Sequence, residues 1–346
     1  MPLMPAPRPV TVAFSGGKDS TAAVLLLREQ GHEVRALTMR LGIAGEEEKL
    51  SRSGDLARVL RVPWDVVDVS AAFRENVLDH FIRAYRSGQT PNPCVRCNRD
   101  IKFGLLLAAL EKNSPRALLA TGHYAARACV DGRWFLSEPA DRRKSQIYFL
   151  AMVAPSALER VLFPIAGLNV TEVRARVAGL PLANLKESQD ICFLHGEDLA
   201  AYLSRHAPDG FTAGDFMDTA GRRIGRHHGA LHFTVGQRRG TGHASDRRQY
   251  VVARDMAANT VTLGGEGDLL STSLAAADPV YWRPLQAGEE LAVKVRYGLR
   301  AHAATIVAAG AGRIQAVFKE PVRAVTPGQL AVFYEGDRIV AAGEIV

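Results

Sequence analysis

Short apolar runs alternate with longer amphipathic ones through the first half of the chain, the pattern that a parallel sheet wrapped by helices imposes. Residues 9–14 (PVTVAF) read as a buried strand, 20–30 (STAAVLLLREQ) as a helix stopped at Gly31, and 33–39 (EVRALTM) as a second strand. Residues 46–61 follow as a helix with Leu50, Leu56, Val59 and Leu60 on its inner side. The alternation continues through 64–70, 71–88 and, after a loop, 101–112, to the buried run ALLATGH at 117–123. This predicts an open doubly wound α/β fold, with ligands expected at the carboxyl ends of the strands.

Past residue 205 the texture changes. Residues 206–245 are rich in Gly, His and Arg with few apolar positions, which suits a small β module leaning on its neighbours. From about 275 the alternation becomes two-residue, in VKVRYGLR, ATIVAA and the run from Arg313 to the end, with turns at GAG and EGD spaced as a small barrel requires. Three domains are expected: a catalytic α/β domain over 1–205, a small β-rich domain over 206–272 and a C-terminal β-barrel over 273–346. A length of 346 residues accommodates two or three such cores. Lys and Arg exceed Asp and Glu by 43 to 36, a net charge of +7 that favours a polyanionic partner. No apolar run reaches the roughly 18 residues of a membrane span, and MPLMPAPRPV lacks the apolar core of a secretory signal, so a cytoplasmic location is expected. Four cysteines in so long a chain are no disulfide scaffold; where they cluster they suggest metal or sulfur chemistry.

Ser15-Gly16-Gly17-Lys18-Asp19-Ser20 stands directly between a strand and a helix. Two glycines let the backbone turn tightly, so that loop and helix amides converge on an anion. Ser15 and Ser20 add hydroxyls, Lys18 a charge, and Asp19 a ligand for Mg²⁺ or a helix cap. A Walker A loop cannot be fitted, because Asp follows the Gly-Lys pair. The second signal is Thr90-Pro91-Asn92-Pro93-Cys94-Val95-Arg96-Cys97, a proline-stiffened loop presenting a C-x-x-C pair. A third cysteine lies far off in Ser188-Gln189-Asp190-Ile191-Cys192-Phe193. Cys129, in the hairpin RACVDGRWF, reads as a buried apolar filler. His227, His228 and His232 lack acidic or cysteine neighbours and read as loop or surface histidines.

The glycine loop resembles the pyrophosphate-binding PP-loop of the ATP pyrophosphatase superfamily. Together with TPNPCVRCNRDIKF, ATGHY, KSQIYFL, LFPI, SQDICF, FTVGQRRG and VTPGQLAVFY, in this order, it makes the chain similar to the bacterial tRNA-specific 2-thiouridylases, the MnmA family. The resemblance implies an enzyme of adenine nucleotide alpha hydrolase-like fold that adenylates the C2 oxygen of the wobble uridine in tRNA. Sulfur then replaces that oxygen, with release of AMP and pyrophosphate. It implies that Ala13, Phe14, Ser15, Gly16, Gly17, Lys18, Asp19 and Ser20 hold ATP, with Met39 near the adenine and Gly122 admitting a close approach of nucleotide to backbone. It further implies Asn92, Pro93 and Cys94 around the target base, and tRNA contacts from His123, Lys144, Ser145, Gln146, Arg296, Tyr297 and Gln329. Cys97 and Cys192 would handle sulfur, and the partners would be tRNA and a sulfur donor, sulfide or a carrier protein. Two positions depart from the usual family pattern: Cys94 stands where Asp is common, and Lys18 where a small apolar residue is common.

Cys94, Cys97 and Cys192 admit three chemistries. Three thiolates bind a [4Fe-4S] cluster with one iron open to sulfur, which the extra thiol at position 94 favours. Cys192 carries a persulfide that Cys97 resolves as a disulfide. Or the three, with His195, hold zinc. Two other functions are weighed against thiolation: a PP-loop enzyme adenylating a small carboxylate or amide, and a non-enzymatic metal-dependent RNA-binding protein.

Overall fold

A computed structural model describes residues 7–182, 191–243 and 247–346. Two units are distinguished: residues 7–77, 94–182, 191–195 and 336–339 form the first, and 78–93, 196–243, 247–335 and 340–346 the second.

The first unit is built on a five-stranded parallel sheet. Its strands are β1 (Pro9–Ala13), β2 (Glu33–Arg40), β3 (Trp64–Asp68), β4 (Leu118–Thr121) and β7 (Val161–Leu162), in the order β3-β2-β1-β4-β7. A hairpin, β5 (Ala126–Val130) and β6 (Arg133–Ser137), turns through Asp131 and Gly132, both at positive φ. Helix α1 (Lys18–Glu29) follows β1, and α2 (Glu46–Val59) follows β2. Val10 and Val12 of β1 and Phe14 just after it pack with Ala22, Ala23, Val24 and Leu27 of α1 and Leu56 and Ala57 of α2. On α2 the inner face is Leu50, Ser53, Leu56, Ala57 and Leu60, all buried, whereas Val59 is 54% exposed. At about 100° per residue Val59 lies roughly 120° from the middle of that stripe, so its expected place in the core is corrected. The decisive feature of the sheet is its switch point: β1 pairs with β2 on one side and β4 on the other, opening a crevice beyond their carboxyl ends.

The second unit holds two β structures. Strands β8 (Gly214–Met217), β9 (Arg223–His227), β10 (Tyr250–Asp255) and β11 (Thr260–Gly264) form a sheet over a small core of Phe216, Phe233, Val251, Val261 and Leu263. Strands β12 (Leu270–Tyr281), β13 (Glu290–Lys294), β14 (His302–Ala309), β15 (Arg313–Arg323), β16 (Leu330–Glu335) and β17 (Arg338–Ile345) close on themselves as a barrel through the β12–β17 pairing. The fold is thus an α/β parallel-sheet domain followed by a β-rich central domain and a C-terminal barrel. The run VKVRYGLR is a strand only to Lys294; Gly298 at φ +79° turns the chain, so Arg296 and Tyr297 stand in a loop. Among the described residues no helix is long and apolar enough to cross a membrane.

Candidate active site

A recess of about 200 Å³ occupies the switch-point crevice. Its wall includes Ala13 at the end of β1, Phe14 and Ser15 after it, Asp19 and Ser20 of α1, Met39 at the end of β2, and Gly122, His123 and Gln146. Gly16, Gly17, Lys18, Lys144 and Ser145 are their chain neighbours and do not line it. The glycine loop is shaped from within: Ser20 Oγ donates to the Gly17 carbonyl (3.1 Å) and accepts from the Ser15 amide (3.3 Å). Gly16 has φ +68°, and a Cβ there would meet Ser53 Oγ at 2.6 Å, so only glycine fits. Gly17 is the N-cap of α1, and Asp19 stands in the first turn, where its charge suits the helix dipole; the expected Asp19 cap is corrected. Gly122 lines the recess and also has a packing role. Its Cα lies against the backbone of Asp19 and Ser20, where a Cβ would be 2.5 Å from the Ser20 nitrogen, so it seats β4 on the start of α1.

The C-x-x-C pair was expected in a loop and is helical. Pro93–Arg96 forms one helical turn and Cys97–Leu106 continues as a π-helix, with Asn98, Ile101, Phe103 and Leu106 buried. Pro93 opens the turn, where its missing N–H costs nothing. Cys192 reaches the same neighbourhood because Phe193 and Leu194 are buried, the Phe193 ring edge-on to Phe73 at 6.4 Å. Ser188, Gln189 and Asp190 lie outside the described residues.

The three thiols influence one another electrostatically. Burial pushes the Cys97 thiol up to about 11, with Cys192 and Cys94 adding to the rise and Lys102 and Lys49 opposing it. Burial also raises Cys94 and Cys192, although both residues keep exposed surface, and both lysines act to lower Cys192. Lys49 and Lys102 line the recess, which places the thiols beside it. Neither lysine was singled out from the sequence. Cys129 is exposed on β5, opposite Trp134, and not the buried filler expected; two-residue alternation turns it outward. His227 is buried against Phe216 and Phe233, while His228 and His232 pack ring to ring at 5.6 Å.

The wall at His123 is a connected network. Asn98 donates to the Phe149 carbonyl (3.0 Å), and Lys102 Nζ donates to Asn98 Oδ1 (3.0 Å) and faces His123 Nε2 at 3.5 Å. His123 Nδ1 meets Thr121 Oγ1 at 2.8 Å. Burial, with Lys102 adding, holds His123 well below the ordinary histidine range, so it is neutral at pH 7. An ammonium only donates, so Nε2 is the acceptor and the ring proton sits on Nδ1, donated to Thr121. Gln146 Oε1 accepts from the Tyr124 amide (2.9 Å), and the Tyr124 hydroxyl reaches Asp19 Oδ1 (3.3 Å).

Asn92 and Pro93 belong to the second unit, which anchors the segment leading to them. Arg254 donates to the carbonyls of Gly88 (2.8 Å), Gln89 (3.2 Å) and Phe233 (2.7 Å) and to Thr90 Oγ1 (3.2 Å). Gln329, 9% exposed, donates to the Thr90 carbonyl at 2.6 Å, which gives it a partner inside the chain. Arg296 donates to Thr326 Oγ1 (3.2 Å), and Tyr297 is 43% exposed. Arg254→Met leaves four acceptors without their donor and is expected to destabilise the second unit by about 2–3 kcal/mol. Denaturant unfolding checks this; an unchanged midpoint would show that water replaces the guanidinium at no cost.

The profile of the tRNA methyl transferase HUP domain matches residues 8–196, that of the tRNA methyl transferase PRC-barrel domain 200–265, and that of the aminomethyltransferase beta-barrel domain 271–345. A tRNA-specific 2-thiouridylase MnmA of Acidithiobacillus ferrooxidans is 41% identical over 98% of this chain and 99% of its own. The MnmA of Pelobacter propionicus is 40% identical over 97% of each. Among solved structures, an NMN synthetase from Francisella tularensis overlaps 53% of this chain and 67% of its own at 14% identity, with a TM-score of 0.35. On its length-wide likeness to these relatives and its match to all three domain profiles, the chain belongs to the tRNA-specific 2-thiouridylase MnmA family.

Proposed function

We propose that this enzyme replaces the C2 oxygen of the wobble uridine of tRNA by sulfur, consuming ATP and releasing AMP and pyrophosphate. The observation that carries this reading is the convergence of Cys94, Cys97 and Cys192, from distant parts of the chain, beside the recess lined by Ala13, Phe14, Ser15, Asp19 and Ser20. The loop amides and the Ser15 and Ser20 hydroxyls take the phosphates, and Met39 packs by the adenine. The Asp19 carboxylate lines the recess and fits Mg²⁺, which when bound would neutralise the pyrophosphate leaving group. Asn92, Pro93 and Cys94 contact the base, and Lys144, Ser145 and Gln146 of the first unit and Arg296, Tyr297 and Gln329 of the second each contact tRNA, phosphate contacts adding salt sensitivity. The working compartment is the cytoplasm.

The cysteines do not fit a cluster as they stand. Among the described residues no group of three or more His, Cys, Asp and Glu side chains is arranged to hold a metal ion, so no step is routed through iron or zinc. The thiols suit persulfide transfer, with the donor loading a sulfane sulfur on Cys192. That sulfur attacks C2 and AMP leaves with the C–O electron pair. The Cys97 thiolate then attacks Cys192 Sγ, forming the Cys97–Cys192 disulfide and leaving the thiocarbonyl; a dithiol reductant resets the pair.

Nucleoside mass spectrometry of tRNA incubated with enzyme, ATP and a persulfide donor tests the reading, and absence of 2-thiouridine would reject it. Asp19→Ala is expected to lower tRNA-dependent pyrophosphate release at least 100-fold, while loss of a first-turn charge costs the fold only about 0.3–1 kcal/mol. Full release by that variant would remove Asp19 from the nucleotide site.

A further inference from the structure

Two cations stand in the wall of the recess, and they differ in how they are held. The Lys49 ammonium has no hydrogen-bond partner among the described residues. Lys102 is oriented from two sides by groups whose roles are forced. The Phe149 carbonyl only accepts, so Asn98 must present its amide nitrogen there and its oxygen to Lys102. Asn98 is 2% exposed, a buried polar side chain whose two hydrogen bonds serve to aim one ammonium. No carboxylate among the described residues pairs with Lys102.

We propose that Lys102 is a catalytic cation of the adenylation chemistry, touching the non-bridging oxygens of the α-phosphate when the uridine O2 attacks the phosphorus and O2 itself when it later departs with AMP. This rests on the thiolation reading given above. In the first step the O2–P bond forms, the P–O bond to pyrophosphate breaks, and pyrophosphate leaves with the electron pair. In the second, sulfur bonds to C2, the C2–O2 bond breaks, and O2 leaves with that pair as an AMP oxygen. Negative charge builds on the α-phosphate oxygens in the first step and on O2 in the second, and no proton need move to Lys102. A pre-aimed ammonium in a walled recess stabilises such charge without reorganising, an effect worth roughly 10²–10³ in rate for one donor. Its position suits both steps, because it lines the nucleotide recess and its charge also reaches all three thiols. His123, neutral and accepting, helps hold the ammonium while adding no second charge.

Lys102→Gln keeps a donor for Asn98, and Lys102→Ala opens space for an added amine. With the full-length enzyme and unmodified tRNA transcript, ATP affinity and the KM for tRNA should stay within about threefold of wild type in both. The kcat for tRNA-dependent pyrophosphate release should fall about 10²–10³-fold. Methylammonium should restore at least about tenfold of that loss in the Ala variant, and no rate to the Gln variant. A kcat within threefold of wild type in the Gln variant would overturn the proposal. So would a loss confined to ATP affinity, or a kcat loss in the Ala variant that no amine relieves. Wild-type enzyme that releases no pyrophosphate in response to tRNA would remove the thiolation reading itself, and the assignment with it.

Discussion

Cys192→Ser and Cys97→Ser are each expected to abolish transfer of sulfur to tRNA, by more than 10³-fold, while tRNA-dependent pyrophosphate release continues; Cys94→Ser is expected to keep most of the thiolation. Persulfide transfer needs one sulfur to carry and one to resolve, and a hydroxyl does neither at neutral pH. A cluster needs all three thiolates, so activity in Cys94→Ser separates the two chemistries, and its loss together with bound iron would restore the cluster. The pH dependence is a second signature. A Cys97 thiol pushed up to about 11 is ionised to roughly one part in 10³ at pH 8, so product release should gain about tenfold per pH unit below 11 until another step limits. Single-turnover appearance of 2-thiouridine from pH 7 to 9 measures that slope. A flat profile would mean that the attacking thiolate is generated in another way, for example by the charges of Lys49 and Lys102 acting more strongly once substrate excludes water.

Much of the site was legible because it depends on local order. A strand, two glycines and a helix specify an anion loop wherever they occur, and strand periodicity alone places it at the carboxyl edge of the sheet. That the three cysteines share one site was expected, but the means was not legible, since nothing local says that Phe193 will pack on Phe73 beside Cys192. Lys102 illustrates the harder case. Five residues along an α-helix is a rotation of about 140°, which would turn Lys102 away from Cys97. The segment Cys97–Leu106 is wound with i→i+5 bonding instead, which returns position 102 to the side of position 97. The hold that Arg254 and Gln329 keep on the segment at Thr90 was illegible for a related reason. Each acts on Thr90 or its neighbours from more than 160 residues away, and a polar side chain facing inward has the same letter as one facing RNA.

Gly122→Ala is expected to remove nucleotide-dependent activity, by at least 100-fold, through a single methyl group. Gly122 has no positive φ, so the substitution carries no backbone strain of its own, and the obstacle is space. The added carbon would lie 2.5 Å from the Ser20 nitrogen, 2.6 Å from the Asp19 carbonyl carbon and 2.9 Å from the Asp19 oxygen. These are backbone atoms in the first turn of α1, unable to swing aside as a side-chain end would. Relief requires about 1 Å of separation between the end of β4 and the start of α1, for which overpacking costs about 1–3 kcal/mol. The fold survives that, but the recess does not keep its shape, because Asp19 and Ser20 line it from one side and Gly122 and His123 from the other. Ser20 also organises the loop through Gly17 and Ser15, so its displacement reaches the backbone of the whole glycine loop. A misplacement of about 1 Å among such groups costs on the order of 10²-fold in rate. Gly167→Ala is the control, since a Cβ there meets nothing within 4 Å. Calorimetric ATP binding and pyrophosphate release should fall in Gly122→Ala and stay unchanged in Gly167→Ala. Wild-type ATP affinity in the first variant would show that β4 and α1 slide apart without disturbing the phosphate loop, and that the recess tolerates what its close packing argues against.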